Sequence, residues 1–493
     1  MFLRRQAFTS ISFLLLLFVL RLALLPVFPL IDPTEGRYAE ISRQMVTTNE
    51  WVLPRLKPSE PFWGKPVLPF WLIALSLKVL GINEFAARLP AFFLAVLCVL
   101  CTYLFARAAL RDEKLAQLSA LILATSGAFF ACAGLVITDV TLTAAMTLVF
   151  CAFPLAIESE TETKRKIWGY LFFAGLGLGV LAKGLVGWVI PFLPIAVWCA
   201  CSANRKQCRE SFRWSSGILL LLLLAVPWHV VAEMRTPGFL YYYFVGEHFQ
   251  RYLVSSWQGD LYGGAHQTPF GMAVFYLAAS CLPWLLFFPL AFIWLRRRGV
   301  IFWQWAKQKW VGYSLLWFLW PALFFSAARN VMLPYTLPCL PAFALVCGFL
   351  AKEIKRQLNA GERAPWFAKE GTVAATAALV PVVFSIAALL VLPQLSDELS
   401  EKALVNVFQA MAKSSGEKLV FIGSKPYSGL FYANGEAKLI DDEKLSEVDE
   451  ALAKKENKYF AIANKVSKFM PQALYTQTVE VAQSPKYVLR KRP

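Results

Sequence analysis

The sequence predicts a polytopic α-helical membrane protein with a small water-soluble α/β domain at its C-terminal end. Three observations predict it. Apolar residues make up 58% of the 493 residues and charged residues only 16%, where a soluble domain carries about a quarter. The apolar residues fall into long runs separated by short basic segments, and a run of about 20 such residues crosses a bilayer. Residues 396–493 return to a soluble composition, with 15 Lys/Arg and 13 Asp/Glu. This much apolar surface cannot be hidden in a water-soluble core. Disordered, coiled-coil, collagen-like and disulfide-rich secreted classes are excluded together.

Eleven runs qualify as spans: 8–30, 88–107, 116–134, 138–157, 168–182, 184–201, 215–233, 269–295, 310–327, 331–350 and 371–394. The first follows Arg4 and Arg5, as a signal peptide would, but it is long and no small-residue cleavage site follows it. An uncleaved span is expected there. Run 66–81 is interrupted by Pro69 and Lys78 and reads as a helix at the membrane surface or a further span. In the C-terminal domain, strands are expected at 418–422, 429–433, 458–463 and 486–490, and helices at 398–413 and 443–456.

The net charge of +17 is a topological signal, and no nucleic-acid partner is expected. With the N-terminus in the cytoplasm, alternate loops hold Arg107/Arg111/Lys114, Lys164–Lys166, Arg205/Lys206/Arg209/Arg213, Arg296–Arg298 with Lys307/Lys309, and Lys352/Lys355/Arg356/Arg363/Lys369. With Arg4 and Arg5 these are 22 of the 34 basic residues before 396. That bias places the C-terminal domain outside. The ten cysteines lie almost entirely in apolar runs and read as small buried hydrophobes.

The outer face then receives a different set of side chains. Loop 31–65 carries Asp32, Glu35, Arg37 and Tyr38, and ends in Trp63-Gly64-Lys65-Pro66. Its carboxylates could bind sugar hydroxyls, orient an amine or act as a base. Asp32 and Thr34 could equally cap a surface helix through Tyr38–Met45. Asp139 heads an apolar helix, as either an N-terminal carboxylate or a functional acid. Lys183 sits between two apolar runs, where it either snorkels or binds phosphate. The preceding Gly175-Leu-Gly-Leu-Gly179 lacks the phosphate-loop lysine spacing and reads as helix packing. Loop 234–268 adds Glu247, His248, Arg251 and His266. A Glu-His pair could bind metal or move protons, though no three-ligand spacing accompanies it. Arg251 and Arg329 match phosphate geometry.

At these residues the sequence resembles the GT-C membrane glycosyltransferases of the protein-mannosyltransferase superfamily, in particular the bacterial lipid A aminoarabinose transferase branch. The resemblance rests on DPTEGRYAEISRQM at 32–45, KPVLPFWLIA at 65–74, TD at 138–139, AKG at 182–184, GEHFQRYL at 246–253, LPW at 282–284 and FFSAARNVMLPYTLP at 324–338. These blocks run in family order over residues 1–350. There are departures. Thr34 stands where the branch has the first of two adjacent acids. Met332 stands where it has a second lysine. Gly64 stands where it has a glutamate that helps hold a metal, so no cofactor is expected and a divalent metal is disfavoured.

The resemblance implies a GT-C fold of about 11–13 transmembrane helices over residues 1–395, with loops 31–87 and 234–268 forming the active site and 396–493 a periplasmic domain. It implies transfer of a sugar from an undecaprenyl-phosphate donor to an envelope acceptor, lipid A in that branch, at the periplasmic face of the bacterial inner membrane. Lys183 and Arg251 would hold the lipid phosphate, helped by Arg329, Tyr335 and Lys65. Asp139 would sit at the sugar or acceptor, with Asp32 and Glu35 as further catalytic carboxylates. Arg37, Tyr38, Glu247 and His248 would complete the substrate site. Other acceptors, a glycolipid, a polysaccharide or a protein hydroxyl, remain compatible with the same chemistry. A transporter or flippase of lipid-linked sugars is the alternative of a different class, although no internal repeat supports it.

Overall fold

The structure is a computed structural model that describes residues 2–57, 60–201, 205–254, 257–262, 267–359, 362–412, 416–454 and 456–493. His266 lies outside the described residues. The chain forms two compact units, each discontinuous in sequence: Met1–Leu22, Pro61–Pro69 and Pro90–Phe384 make the first, and Ala23–Glu60, Phe70–Leu89 and Ser385–Pro493 the second.

An apolar segment in lipid has no water to satisfy its backbone, so it winds into helix. Among the described residues five helices are long and apolar enough to cross a membrane: Glu84–Leu110, Thr138–Ile157, Trp214–Arg235, Leu333–Gln357 and Glu370–Val391. Met272–Ser280 and Trp284–Arg297 make a sixth if counted as one span bent by 99°. The remaining expected spans are helical too, at Phe2–Ala23, Glu162–Lys183, Val186–Cys201 and Lys309–Ser326. Leu68–Leu80 is a 13-residue helix, too short to cross.

One expected span is corrected. Run 116–134 is not a single helix but two, Glu113–Ala124 and Gly127–Cys132. At the break the Thr125 and Ser126 hydroxyls bond back to the Leu121 and Ile122 carbonyls at 2.6 and 2.7 Å, a local competitor to helix continuation. The break is satisfied by the bend at 281–283. Gly127 N–H donates to the Leu282 carbonyl at 2.7 Å, and the Trp284 indole donates to Thr125 Oγ1 at 3.0 Å.

Within the first unit, Thr138–Ile157 is central, with 94% of its most apolar stretch buried, against 28% for Trp214–Arg235 and 17% for Glu370–Val391. The latter two present Leu, Val and Ile outward, as lipid-facing helices do. Thr138–Ile157 packs on Glu162–Lys183 through Gly175, where a Cβ would lie 2.8 Å from Val149 Cγ2. The glycine run therefore serves close helix packing. Phe150 stacks on Trp317 at 4.4 Å, and the Tyr313 hydroxyl donates to the Phe150 carbonyl at 2.8 Å. The nine cysteines whose side chains are described are free thiols, seven of them buried, which fits small hydrophobes rather than staples.

The second unit contains a five-stranded sheet of β1 (Lys418–Gly423), β2 (Ala437–Asp441), β3 (Asn457–Ala463), β4 (Val479–Gln483) and β5 (Tyr487–Lys491). Its order is β2-β1-β3-β5-β4. β1 pairs in parallel with β2 and β3, with Phe421 opposite Leu439 and Ala461. β5 pairs antiparallel with β3 and β4. Segment 429–433, expected as a strand, lies instead in and just after helix Tyr427–Tyr432. Pro426 fixes φ just before that helix, and the Asp32 carboxylate accepts the Ser428 amide at 2.8 Å. The expected helix 398–413 is two helices, Ser396–Leu399 and Lys402–Met411. The expected helix 443–456 shortens to Glu447–Ala453.

Candidate active site

Ionisable groups from three segments of the first unit meet around one cavity of about 440 Å³. Its lining includes Lys65, Lys183 and Arg251 together with apolar Val186, Val189, Phe249 and Leu253. Three distant segments bring the cations together. Asp139 stands in the first turn of Thr138–Ile157, where the helix dipole favours a carboxylate. Lys183 is the last residue of the partner helix Glu162–Lys183 and pairs with Asp139 at 2.5 Å. Its ammonium also lies 3.9 Å from the centroid of the Tyr335 ring. The chain must then turn sharply, and Gly184 does so at φ +68. A Cβ there would meet the Tyr243 hydroxyl at 2.4 Å, so the position requires glycine.

Residues Tyr241–Gln250 wind as a π-helix, a rare form concentrated at functional sites. It presents Glu247 toward Lys65 at 3.0 Å and Arg251 at 3.0 Å. Burial alone would raise the Glu247 carboxyl, but Lys65 and Arg251 hold it below the usual carboxylate range. Arg251 is shared with Asp260 at 3.5 Å. Lys65 is presented by a pinned loop: Trp63 N–H donates to the Tyr262 hydroxyl at 2.8 Å, and that hydroxyl donates to the Pro61 carbonyl at 3.0 Å.

His248 is committed to the backbone. Its Nδ1 faces the Tyr243 carbonyl at 2.7 Å, which can only accept, so Nδ1 carries the proton. Its Nε2 accepts the Leu185 N–H at 3.1 Å. Burial lowers its pKa, and the neutral ring clamps the turn after Lys183. Arg329 does not line the cavity; its guanidinium lies 3.5 Å from the Phe270 ring centroid, and its neighbour Asn330 lines the cavity instead.

Asp32, Glu35, Arg37 and Tyr38 of loop 31–65 belong to the second unit and are engaged there. Helix Thr34–Thr48 buries Glu35, Tyr38, Glu40 and Arg43, so it is no surface helix, and Pro33 rather than Asp32 or Thr34 occupies its cap position. Glu35 forms a two-point pair with Arg88 at 3.0 and 2.6 Å. Asp32 holds Ser428, through its amide and its hydroxyl, and burial pushes the Asp32 carboxyl up to about 6. Arg37 lies against the Tyr38 and Tyr427 rings. Tyr38 packs edge-on against Phe70.

No group of three or more His, Cys, Asp or Glu close enough to hold a metal occurs among the described residues. At Gly64, a Cβ would already meet the Phe62 ring at 2.9 Å and the Tyr262 ring at 3.2 Å. The residues present therefore do not fit a metal held by a side chain at that position. Asp260, Asn330 and Tyr243 are site residues that the sequence did not single out.

Residues 6–243 match the family Dolichyl-phosphate-mannose-protein mannosyltransferase. The chain is 30% identical over 331 residues to an undecaprenyl phosphate-alpha-4-amino-4-deoxy-L-arabinose arabinosyl transferase of Pseudomonas paraeruginosa, covering 66% of this chain and 56% of that protein. It is 30% identical over 342 residues to the protein of the same name from Enterobacter sp., covering 68% and 58%. The chain thus spans little more than half the length of these relatives. The crystal structure of ArnT from Cupriavidus metallidurans bound to undecaprenyl phosphate superimposes with a TM-score of 0.80 at 19% identity, over 97% of each chain. The expected GT-C fold is the one observed. The chain is a membrane protein with the fold of the ArnT structure, and its residues 6–243 match the protein-mannosyltransferase family model.

Proposed function

We propose that this protein transfers a sugar, of the aminoarabinose type, from an undecaprenyl-phosphate donor to lipid A. The reaction runs at the periplasmic face of the bacterial inner membrane, with the N-terminus cytoplasmic and residues 396–493 periplasmic. Residues 1–395 form the catalytic portion. The observation that carries this reading is the convergence of Lys65, Lys183 and Arg251 on one cavity that also has apolar walls. The cations suit a phosphate and the apolar walls a polyprenyl chain. The relatives' names and the ligand in the ArnT structure supply the donor class.

The chemistry follows from charge. The donor is a phosphodiester with one negative charge. The acceptor attacks the anomeric carbon, the sugar C–O bond to phosphorus-bound oxygen breaks, and undecaprenyl phosphate leaves as a monoester with a second negative charge. Lys183, Arg251 and Lys65 stabilise that second charge as it develops, the interaction that accelerates a transfer.

Lys183→Ala tests this. It should insert normally and lose activity by about 10²–10³-fold, the cost typical of removing one stabiliser of developing charge. Lipid A mass spectrometry of a deletion strain reads the result. A sugar-sized mass should vanish on deletion and return with the wild-type chain but not with Lys183→Ala. Full restoration by Lys183→Ala would overturn the role of the lysine. Lipid A unchanged by deletion would overturn the acceptor.

A further inference from the structure

A second cavity lies at the far end of the helix that carries Lys183. Glu162–Lys183 has 22 residues, a length of about 33 Å, which is close to the hydrocarbon thickness of a bilayer. Its first turns and segment 210–213 border a cavity of about 190 Å³ whose lining includes Glu162, Arg165, Lys166, Tyr170, Glu210 and Arg213. Beside it Ile167, Trp214, Ile218 and Leu219 are exposed, as lipid-facing side chains are. The Trp214 indole donates to the Arg209 carbonyl at 3.2 Å. A tryptophan with an apolar body and one satisfied polar end suits the membrane–water boundary. The cavity therefore stands at headgroup level, in the leaflet opposite Lys183.

Three cations and two carboxylates line it. Glu162 is shared by Lys166 at 2.7 Å and Arg213 at 3.3 Å. Glu210 faces Lys206 at 4.0 Å, and that lysine is outside the lining. Arg165 donates to the Ser159 carbonyl at 3.4 Å and forms no ion pair among the described residues. The lining thus carries one positive charge more than its carboxylates balance.

We infer that this cavity binds the phosphodiester headgroup of an anionic phospholipid of the phosphatidylglycerol class, with its acyl chains along the lipid-facing side of Trp214–Arg235. One phosphodiester brings the one negative charge that the lining lacks. A zwitterionic headgroup adds an ammonium and leaves the surplus in place. Guanidinium groups match phosphate oxygens in pairs, and basic pockets between transmembrane helices recognise anionic headgroups. A soluble phosphate ester would meet the same charges but gain nothing from Ile218 and Leu219. The inference stands apart from the sugar-transfer reading, because it uses no residue of the catalytic cavity.

The test measures binding to purified full-length protein in neutral detergent. The probes are dioleoylphosphatidylglycerol, dioleoylphosphatidylcholine, and glycerophosphoglycerol, which is the first headgroup without chains. Arg165→Gln is the main variant, since it removes a cation without orphaning a carboxylate. It should weaken phosphatidylglycerol binding by about fivefold, the value of one basic residue at an anionic membrane surface, and change phosphatidylcholine binding by less than about twofold. Lys206→Gln removes an equal charge from an exposed neighbour outside the lining and should change either affinity by less than about twofold. Lys166→Gln replaces the main variant if Arg165→Gln does not give a monodisperse protein. Wild-type affinity in both lining variants would overturn the inference. An equal loss in Lys206→Gln would reduce it to general surface charge. Phosphatidylcholine bound as tightly as phosphatidylglycerol would overturn the anionic class, and glycerophosphoglycerol bound as tightly would overturn the lipid. Each of these outcomes leaves the function proposed above untouched.

Discussion

Glu35 is the residue on which sequence and structure make the most sharply different predictions. As a catalytic carboxylate it would be needed for turnover and dispensable for folding. In the structure Arg88 is wholly buried, and it uses its donors on Glu35 and on the carbonyls of Leu25, Phe28 and Pro29, at 2.6 to 3.0 Å. Glu35 also accepts Ile31 N–H at 3.1 Å. Glu35→Ala takes away the carboxylate that shares two of those donors and leaves the guanidinium buried. Breaking a buried pair from one side costs about 3–5 kcal/mol.

Hydrogen exchange of β1 and β3 reads the unit that holds the pair, since both strands belong to it. For amides that exchange by opening of the unit, that loss accelerates exchange by about 10² to 10³-fold or more. The described cysteines lie in the first unit, so dye labelling of their thiols monitors that unit separately. Activity per folded molecule should stay within about threefold of wild type. Wild-type exchange rates combined with lost turnover would refute the structural role and return Glu35 to the chemistry.

Two further outcomes are expected. Burial pushes the Asp32 carboxyl from 3.8 up to about 6 and the Glu401 carboxyl from 4.5 up to about 7. A raised folded-state pKa gives stability that is full below the unfolded value and lost as pH rises through the folded one. Protection of β1 should therefore be greatest near pH 4 and fall between about pH 4 and 7, by up to about 3 kcal/mol per group. Asp32→Asn should flatten that profile, and an equally steep profile in the variant would discard the assignment. Glu247→Gln removes one negative charge shared by Lys65 and Arg251. It should bind undecaprenyl phosphate more tightly, by about threefold or more, and slow its release. Weaker binding would show instead that the carboxylate's main task is to hold the two cations in position.

The membrane architecture was legible because apolar length is a local property of a segment. The break at Thr125–Ser126 was not, because it is stabilised by the Leu282 carbonyl and the Trp284 indole, more than 150 residues away in the chain. Lys183, Arg251, Glu247 and Asp139 stood out as charges among apolar neighbours, and the fold brings them together. Arg329 stood out equally, yet its guanidinium finds an aromatic ring, a contact no local pattern announces. Asn330 gave no signal, since an uncharged amide after an arginine is unremarkable until its burial is known. The pairing of Glu35 was not legible, because Arg88 lies 53 residues away inside a run marked only by its hydropathy. Segment 429–433 has strand-like composition, and what makes 427–432 helical is Pro426 before it and the Asp32 carboxylate at its first turn.

The cavity's charge balance bears on the acceptor. Each of its three cations has a carboxylate within 3.5 Å: Lys65 has Glu247, Lys183 has Asp139, and Arg251 has Glu247 and Asp260. Buried cations need such partners, because an isolated buried charge costs several kcal/mol. The same pairing occupies these carboxylates in holding cations. Glu247 is held below the ordinary range by its two cations, and taking a proton would cost Asp139 its ion pair with Lys183. An acceptor hydroxyl must give up a proton during attack and needs a base near the operating pH. An acceptor phosphate attacks as an anion and releases no proton. A cavity in which the carboxylates are occupied in holding cations is therefore better matched to a phosphate acceptor, as on lipid A, than to a sugar or protein hydroxyl. On this reading Asp139 is a positioning residue for Lys183 rather than the base of the reaction.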